Sequence, residues 1–102
     1  MAEPGFRHVV LLQFQEGTDG AAREAIRAGL AALPAQIPEL RAYHFGDDLG
    51  LVSGNFDFGI VADFDDEAAW RTYVDHPSHQ DVIARCIKPV LAQRFAVQFA
   101  LR

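Results

Sequence analysis

Hydrophobic and polar residues alternate along four stretches of the chain, and each stretch predicts a β-strand. The predicted strands are Phe6 to Phe14, Leu40 to Phe45, Phe56 to Phe64 and Arg94 to Leu101. A period of two residues is typical of strands, because successive side chains point to opposite faces of a sheet. In strands one, three and four we expect the phenylalanine-rich row to pack beneath helices. Those rows are Phe6-His8-Val10-Leu12-Phe14, Phe56-Phe58-Ile60-Ala62-Phe64 and Phe95-Val97-Phe99-Leu101.

Two helices are predicted between the strands. Ala21 to Leu33 has hydrophobic residues three and four apart, with Thr18 or Asp19 placed to cap its start and Pro34 to end it. Asp65 is predicted to cap a second helix from about Asp66 to Val74. Pro77 restarts that helix, since proline is favoured at the first helical position.

The predicted order of elements is βαββαβ, with the last helix broken at His76-Pro77. This order is the split βαβ arrangement of ferredoxin-like α+β domains, in which both helices cover one face of a four-stranded antiparallel sheet. The sequence shows no repeat and no linker, so we predict one domain over residues 1–102. The opposite face of the sheet carries Val9, Leu11 and Val61 among polar neighbours, and these residues favour a further partner.

Composition and charge exclude several classes of function. Half of the residues are hydrophobic and the net charge is −5, with nine basic residues scattered among fourteen acidic ones. Nucleic acids and anionic membranes are therefore unsuitable partners, because both require clustered Lys and Arg. The single cysteine, Cys86, cannot form a disulfide within the chain. Residues 1–5 predict no signal peptide and no apolar run reaches about eighteen residues, so we expect a cytoplasmic protein.

Three polar side chains on otherwise apolar surfaces are candidates for chemistry. His79 is predicted in the first turn of a helix, where the positive end of the helix dipole favours a neutral imidazole that can act as a general base. His8 lies in the hydrophobic row of the first strand, and Tyr73 lies in the hydrophobic stripe of the second helix. A histidine or tyrosine in such a position also fits a purely structural role, with its polar atoms satisfied in the core.

A metal site or a cofactor site is not predicted. His76 and His79 are three residues apart with Asp75 and Asp81 nearby, but two histidines fall short of the three or four ligands that such sites need. His76 precedes Pro77 and is expected to cap the helix or act as a hinge. Gly46, Gly50 and Gly54 do not form a phosphate-binding motif, because no helix follows them.

Six segments, taken together and in order, are typical of one known family. They are Arg7 to Phe14, Ala32 to Pro38, Gly46 to Leu51, Asn55 to Phe58, Tyr73 to His79 and Ile87 to Pro89. With these segments the chain resembles the stress-responsive dimeric A/B-barrel (Dabb) family. The resemblance extends from about residue 6 to residue 101. It implies a homodimer in which two sheets face each other as a barrel, with a pocket between each sheet and its own helices.

The same resemblance implies candidate roles for the three polar residues. Some plant members of the family are polyketide cyclases that close an aromatic ring by an intramolecular aldol reaction. The histidines and tyrosine that they use correspond to His79, Tyr73 and His8. They also use a tyrosine of the first helix, and Ala21 to Leu33 contains none.

Two hypotheses for function follow, and the sequence does not choose between them. In the first, the protein is a dimer that binds a small apolar or carbonyl-containing compound without reaction, and the resemblance implies a role in a stress response. In the second, it is a cyclase or lyase in which His79 removes a proton next to a carbonyl group. A cofactor-independent monooxygenase is a third, weaker option. In each case we expect His8, Tyr73 and His79 to converge on one cavity.

Overall fold

The computed structural model describes residues 5–101, which form a four-stranded sheet with helices on one face. Residues 1–4, on which most of the signal-peptide prediction rests, lie outside the described residues. The strands are β1 (Phe6–Phe14), β2 (Ala42–Asp47), β3 (Phe58–Phe64) and β4 (Leu91–Ala100). Their order in the sheet is β2-β3-β1-β4 and every neighbouring pair is antiparallel. The predicted ferredoxin-like βαββαβ fold is confirmed.

The helices are α1 (Gly20–Ala31), a short α2 (Leu33–Gln36), α3 (Glu67–Asp75) and α4 (Pro77–Val82). A π-helical turn (Ile83–Ile87) and a 3₁₀ turn (Lys88–Val90) connect α4 to β4. None of the described helices is both long and apolar enough to cross a membrane.

Aspartates cap the two longer helices. The Asp19 carboxylate accepts from the Ala22 N–H at 2.9 Å, as the sequence predicted. The Asp66 carboxylate accepts from the Ala69 N–H at 2.9 Å and is the cap of α3. The prediction that Asp65 has this role is wrong, because Asp65 instead forms an ion pair with Arg41.

The core lies between the sheet and the helices. The alternating rows of β1 and β3 face the helices as predicted, and α1 contributes Ile26 and Leu30. The buried row of β1 includes one polar side chain, His8, which is 4% exposed.

The phenylalanine-rich row of β4 faces away from the helices, so that part of the prediction is wrong. Phe95 pairs with Leu11 and Val97 pairs with Val9, and both partners belong to the outer row of β1. Side chains opposite each other on neighbouring strands share a face, so the row is left outside at 61% exposure for Phe95 and 54% for Val97. The helix-facing row of β4 is instead Arg94, Ala96 and Gln98.

Phe56 was also predicted in the core row of the third strand, and this is wrong. The Asp57 carboxylate accepts from the Phe14 N–H at 2.8 Å, and the Asp57 N–H donates to the Leu12 carbonyl at 2.9 Å. These bonds precede the regular strand, which begins at Phe58. The Phe56 ring consequently contacts Phe95, with ring centroids 5.3 Å apart, on the outer side.

Gly29 on α1 allows α4 to pack closely, and this contact can be tested. A Cβ atom at Gly29 would lie 3.1 Å and 3.2 Å from the two methyl groups of Val82. We expect Gly29→Ala to add little or no stability, because this contact offsets the gain of about 1 kcal/mol from helix propensity. In a Val82→Ala background the same change should raise the free energy of unfolding by about 1 kcal/mol.

Urea unfolding of the wild type, the two single variants and the double variant measures the coupling between positions 29 and 82 in a double-mutant cycle. Gly20→Ala is the matched control, since a Cβ there meets no atom within 4 Å and its effect should be the same in both backgrounds. Equal effects of Gly29→Ala in both backgrounds would contradict the close packing.

Candidate functional site

A cavity of about 280 Å³ lies between the helix-facing side of the sheet and helices α3 and α4. Its walls are mostly apolar and include Val10, Leu12, Ile60, Ile83 and Ile87. All three candidate residues, His8, Tyr73 and His79, also line this cavity. Their rings are adjacent, with centroids 6.3 Å apart for His8 and Tyr73 and 4.1 Å apart for Tyr73 and His79. The predicted convergence on one cavity is therefore found.

His8 is held in its neutral form by burial. Its Nδ1 atom lies 2.9 Å from the side-chain amide nitrogen of Gln98 on β4, which donates to it. The ring proton is then on Nε2, so that Nε2 is a hydrogen-bond donor. Burial is the largest cause that lowers the pKa of His8 to about 4, and the nearby Arg94 and His79 side chains lower it further.

His79 has the opposite tautomer. Its Nδ1 atom lies 3.1 Å from the Val74 carbonyl oxygen, which can only accept, so Nδ1 carries the proton. The Nε2 atom therefore has a free lone pair. Burial is the main cause that lowers the pKa of His79, and nearby Arg94 and His76 lower it further. The hydrogen bond to Val74 has the opposite effect and raises this pKa. The neutral ring expected from the sequence is thus explained first by burial rather than by the helix dipole.

Tyr73 is paired with a second tyrosine that the sequence did not single out. The hydroxyl groups of Tyr73 and Tyr43 are 2.9 Å apart and hydrogen-bonded. Burial raises the pKa of both phenols further above neutral pH, so both hydroxyl groups keep their protons. Tyr43 and Phe45 are two residues apart on β2 and share one face, so the sequence pattern could indicate that Tyr43 is buried. No local pattern in the sequence indicates its contact with Tyr73 on α3.

Three more polar groups at this cavity were not predicted as site residues. The indole N–H of Trp70 is buried and has no acceptor among the described residues. Arg94 at the start of β4 and Lys88 before it also line the wall. Sequence reasoning placed Trp70 in the core and did not consider the two cations.

The His76-Pro77 segment is structural, as predicted. The His76 Nδ1 atom accepts from the Ser78 N–H at 3.1 Å and so caps α4. Between residues 5 and 101, no cluster of three or more His, Cys, Asp or Glu side chains is arranged to hold a metal ion.

A second, larger depression of about 570 Å³ lies on the other side of the molecule, around the loop between β2 and β3. It is open to solvent, and its lining includes Asp48, Leu49, Leu51 and Asn55. No histidine or tyrosine lines it. The enclosed cavity beside His79 is therefore the candidate site.

The fold and the cavity define a ferredoxin-like α+β protein with a small pocket between sheet and helices. The model of the stress responsive A/B barrel domain (Dabb) matches residues 6–101, and the chain belongs to this family. An uncharacterised protein of Streptomyces coelicolor is 32% identical over 81 residues, which cover 76% of this chain and 82% of that protein.

Solved structures agree with this assignment. A dimeric ferredoxin-like protein of unknown function from Thermobifida fusca is 47% identical, with a TM-score of 0.90 over 97% of this chain and 92% of that one. A hydroxynitrile lyase from Passiflora edulis has a TM-score of 0.84 over 98% of this chain and 95% of its own, at 17% identity. The second likeness shows the shared fold alone.

The buried state of His8 predicts a pH-dependent stability. In the unfolded chain this histidine titrates near its ordinary pKa of 6.5, and in the folded protein it titrates near 4. Between these values the unfolded state binds more protons, so stability should fall as the pH drops from about 6.5 to about 4. The loss should reach at most about 3 kcal/mol, since one pKa unit corresponds to about 1.4 kcal/mol.

Urea unfolding between pH 4 and pH 7 measures this loss, and an NMR titration of the His8 ring gives the pKa directly. In the variant His8→Gln, the free energy of unfolding should depend less on pH. The dependence that remains should include the contribution of His79, whose pKa is also lowered. A His8 pKa above 6 in the folded protein would contradict the neutral buried ring.

Proposed function

We propose that this protein is a homodimer that binds a small carbonyl compound in the pocket and catalyses proton transfer next to the carbonyl group. The reaction class would be an aldol-type cyclisation or the corresponding lyase reaction. The observation that carries the proposal is the pair of opposite tautomers, with a free lone pair on His79 Nε2 and a proton on His8 Nε2. One ring can then accept a proton while the other donates a hydrogen bond.

The proposed steps use only groups of this chain. His79 Nε2 takes the proton from the carbon next to the carbonyl, and the electrons of that C–H bond form an enolate. The His8 Nε2–H and the Tyr73 hydroxyl donate hydrogen bonds to the enolate oxygen. In a cyclisation the enolate carbon attacks a second carbonyl of the same molecule, and His79 returns its proton to the new alkoxide.

Tyr43 supports the donor role of Tyr73. When the Tyr43 hydroxyl donates to Tyr73, the Tyr73 proton is left for the ligand. A ligand with an acceptor oxygen would receive this proton. Tyr43 itself does not line the pocket, so its effect on a ligand passes through Tyr73.

Binding without catalysis is the second candidate. The wall of the pocket is largely apolar, and a few convergent polar groups are sufficient for ligand binding. The lack of a tyrosine on α1, where the resemblance implies one in the cyclases, favours this alternative.

A deuterium-exchange experiment tests the catalytic proposal. Exchange of the protons next to the carbonyl of 4-phenyl-2-butanone in D₂O, followed by NMR, should be faster with the protein than in buffer. His79→Ala should reduce this acceleration by about 100-fold or more, and Tyr73→Phe should reduce it to a smaller extent. His76→Asn is the matched control, because asparagine retains the helix cap, and it should change the rate far less than His79→Ala.

Two results would count against the catalytic proposal. Chemical-shift changes around His8, Tyr73 and His79 without accelerated exchange would favour the non-catalytic binder. Neither binding nor exchange, with 4-phenyl-2-butanone and with benzoylacetone, would contradict the proposed function.

The homodimer is supported by the outer face of the sheet. Leu11, Phe95, Val97 and Phe99 form an exposed apolar surface there, and the solved relative from Thermobifida fusca is dimeric. Exposed apolar patches of this kind are typical of protein–protein contacts. The loop residues Leu49 and Leu51, at 83% and 80% exposure, extend this surface at one end.

Light scattering at micromolar concentration should give about twice the chain mass of 11.3 kDa. Val61→Glu should dissociate or destabilise the dimer, because it introduces an unpaired charge at the centre of the outer face. Ala28→Glu, on the exposed side of α1, is the control and should remain dimeric. A folded wild-type monomer throughout the micromolar range would rule out the dimer.

A further inference from the structure

Most positive charges of the described chain are neutralised by carboxylates. Eight basic residues lie between positions 5 and 101, and six of them form ion pairs. Those six are Arg7, Arg23, Arg27, Arg41, Arg71 and Arg85. Such pairing is expected in a chain with fourteen acidic residues and a net charge of −5.

The other two cations, Lys88 and Arg94, have no carboxylate partner among the described residues, and both line the pocket. The pocket wall contains no aspartate and no glutamate. The two unpaired cations of the described residues thus lie at one mostly apolar cavity. Both residues are also exposed to solvent, so water compensates their charge, and an anion bound in the cavity would take the place of that water.

Strand pairing directs Arg94 towards the site. Arg94 pairs with Leu12, a buried residue of β1, so it lies on the helix-facing side of β4. Gln98, which donates to His8, lies on the same side four residues further along. In agreement with this placement, the charge of Arg94 adds to the lowering of the pKa of His8 and His79, and it opposes the rise that burial causes in the pKa of Tyr73.

We propose that the natural ligand of the pocket carries a carboxylate on a small apolar or aromatic body, and that Arg94 binds this carboxylate with help from Lys88. A guanidinium group can hold both oxygens of a carboxylate through parallel hydrogen bonds. The apolar body lies between Val10, Leu12 and Ile60 on one side and Ile83 and Ile87 on the other. This inference rests on the proposed function, and together the two define a small keto acid as the substrate class.

An alternative role for Arg94 is to protect the exposed edge of the sheet. β4 is an edge strand, and charged side chains on such strands prevent pairing with other molecules. This role requires no preference for anionic ligands. A comparison of charged and neutral ligands therefore separates the two roles.

The experiment uses three acids, each with its primary amide as an uncharged analogue of the same size: benzoate, cinnamate and 4-phenylbutanoate. Affinities are measured by NMR titration of the intact protein at low ionic strength. At least one acid should bind about tenfold or more tightly than its amide. Arg94→Gln should weaken binding of that acid by about tenfold and leave binding of its amide unchanged, while Lys88→Gln should have a smaller effect in the same direction.

Arg85→Gln is the matched control, because it removes the same charge from an exposed residue that does not line the pocket and should leave the acid affinity unchanged. Binding of the acid should also raise the pKa of His8 and His79, since it neutralises the charge of Arg94. The proposal is overturned if no acid binds better than its amide, or if Arg94→Gln and Arg85→Gln act alike.

These compounds have no ketone and do not react, so the result is independent of catalysis. Accelerated exchange of 4-phenyl-2-butanone without a preference for acids would support the proposed function and contradict only the inference that the ligand carries a carboxylate. A preference for acids without exchange would retain the carboxylate site and remove the catalytic role.

Discussion

Strand β1 is hydrogen-bonded to β3 on one side and to β4 on the other, and these two registers determine the two faces of the molecule. One row of its side chains lies beneath the helices and the other row faces outwards. A shift of either register by one residue would exchange the two rows. His8 would then leave the pocket, and the outer apolar surface would lose Val9 and Leu11. The site and the surface proposed for dimerisation therefore depend on the same set of backbone hydrogen bonds.

Burial of polar groups on the inner row gives the pocket its chemical character. An imidazolium ion is costly in an apolar environment, so His8 and His79 remain neutral, and each uses Nδ1 for a fixed hydrogen bond. The Gln98 side chain and the Val74 carbonyl thereby set two different tautomers in one cavity. Burial also keeps the two tyrosines protonated, and their paired hydroxyls link the sheet to α3. The acid and base character of the site thus follows from solvent exclusion and from two hydrogen bonds.

Much of this arrangement could be predicted from the sequence, because periodicity and caps are local signals. The order of elements, the inner rows of β1 and β3, the cap by Asp19 and the break at Pro77 all depend on residues a few positions apart. The inner row of β4 could not be assigned in this way. Alternation shows that β4 has two faces, but only its pairing with β1 decides that Arg94 and not Phe95 faces the helices.

The same limit applies to the site. His8, Tyr73 and His79 could be selected as polar side chains on apolar surfaces. Tyr43 and Gln98 could not, because their roles depend on contacts with residues 30 and 90 positions away. The two pocket cations became recognisable only after the ion pairs of the other arginines were known.

The π-helical turn at Ile83–Ile87 has a consequence for how this domain tolerates changes in length. A π-turn accommodates one more residue than an α-helical turn of the same height, because its hydrogen bonds join residues five rather than four positions apart. Removal of one residue here would let the helix close in α-form and leave the chain before and after the turn in nearly the same orientation. Ile87 would stay in the core and Lys88 at the cavity wall. The segment between His79 and β4 can therefore change by one residue in length without loss of either position.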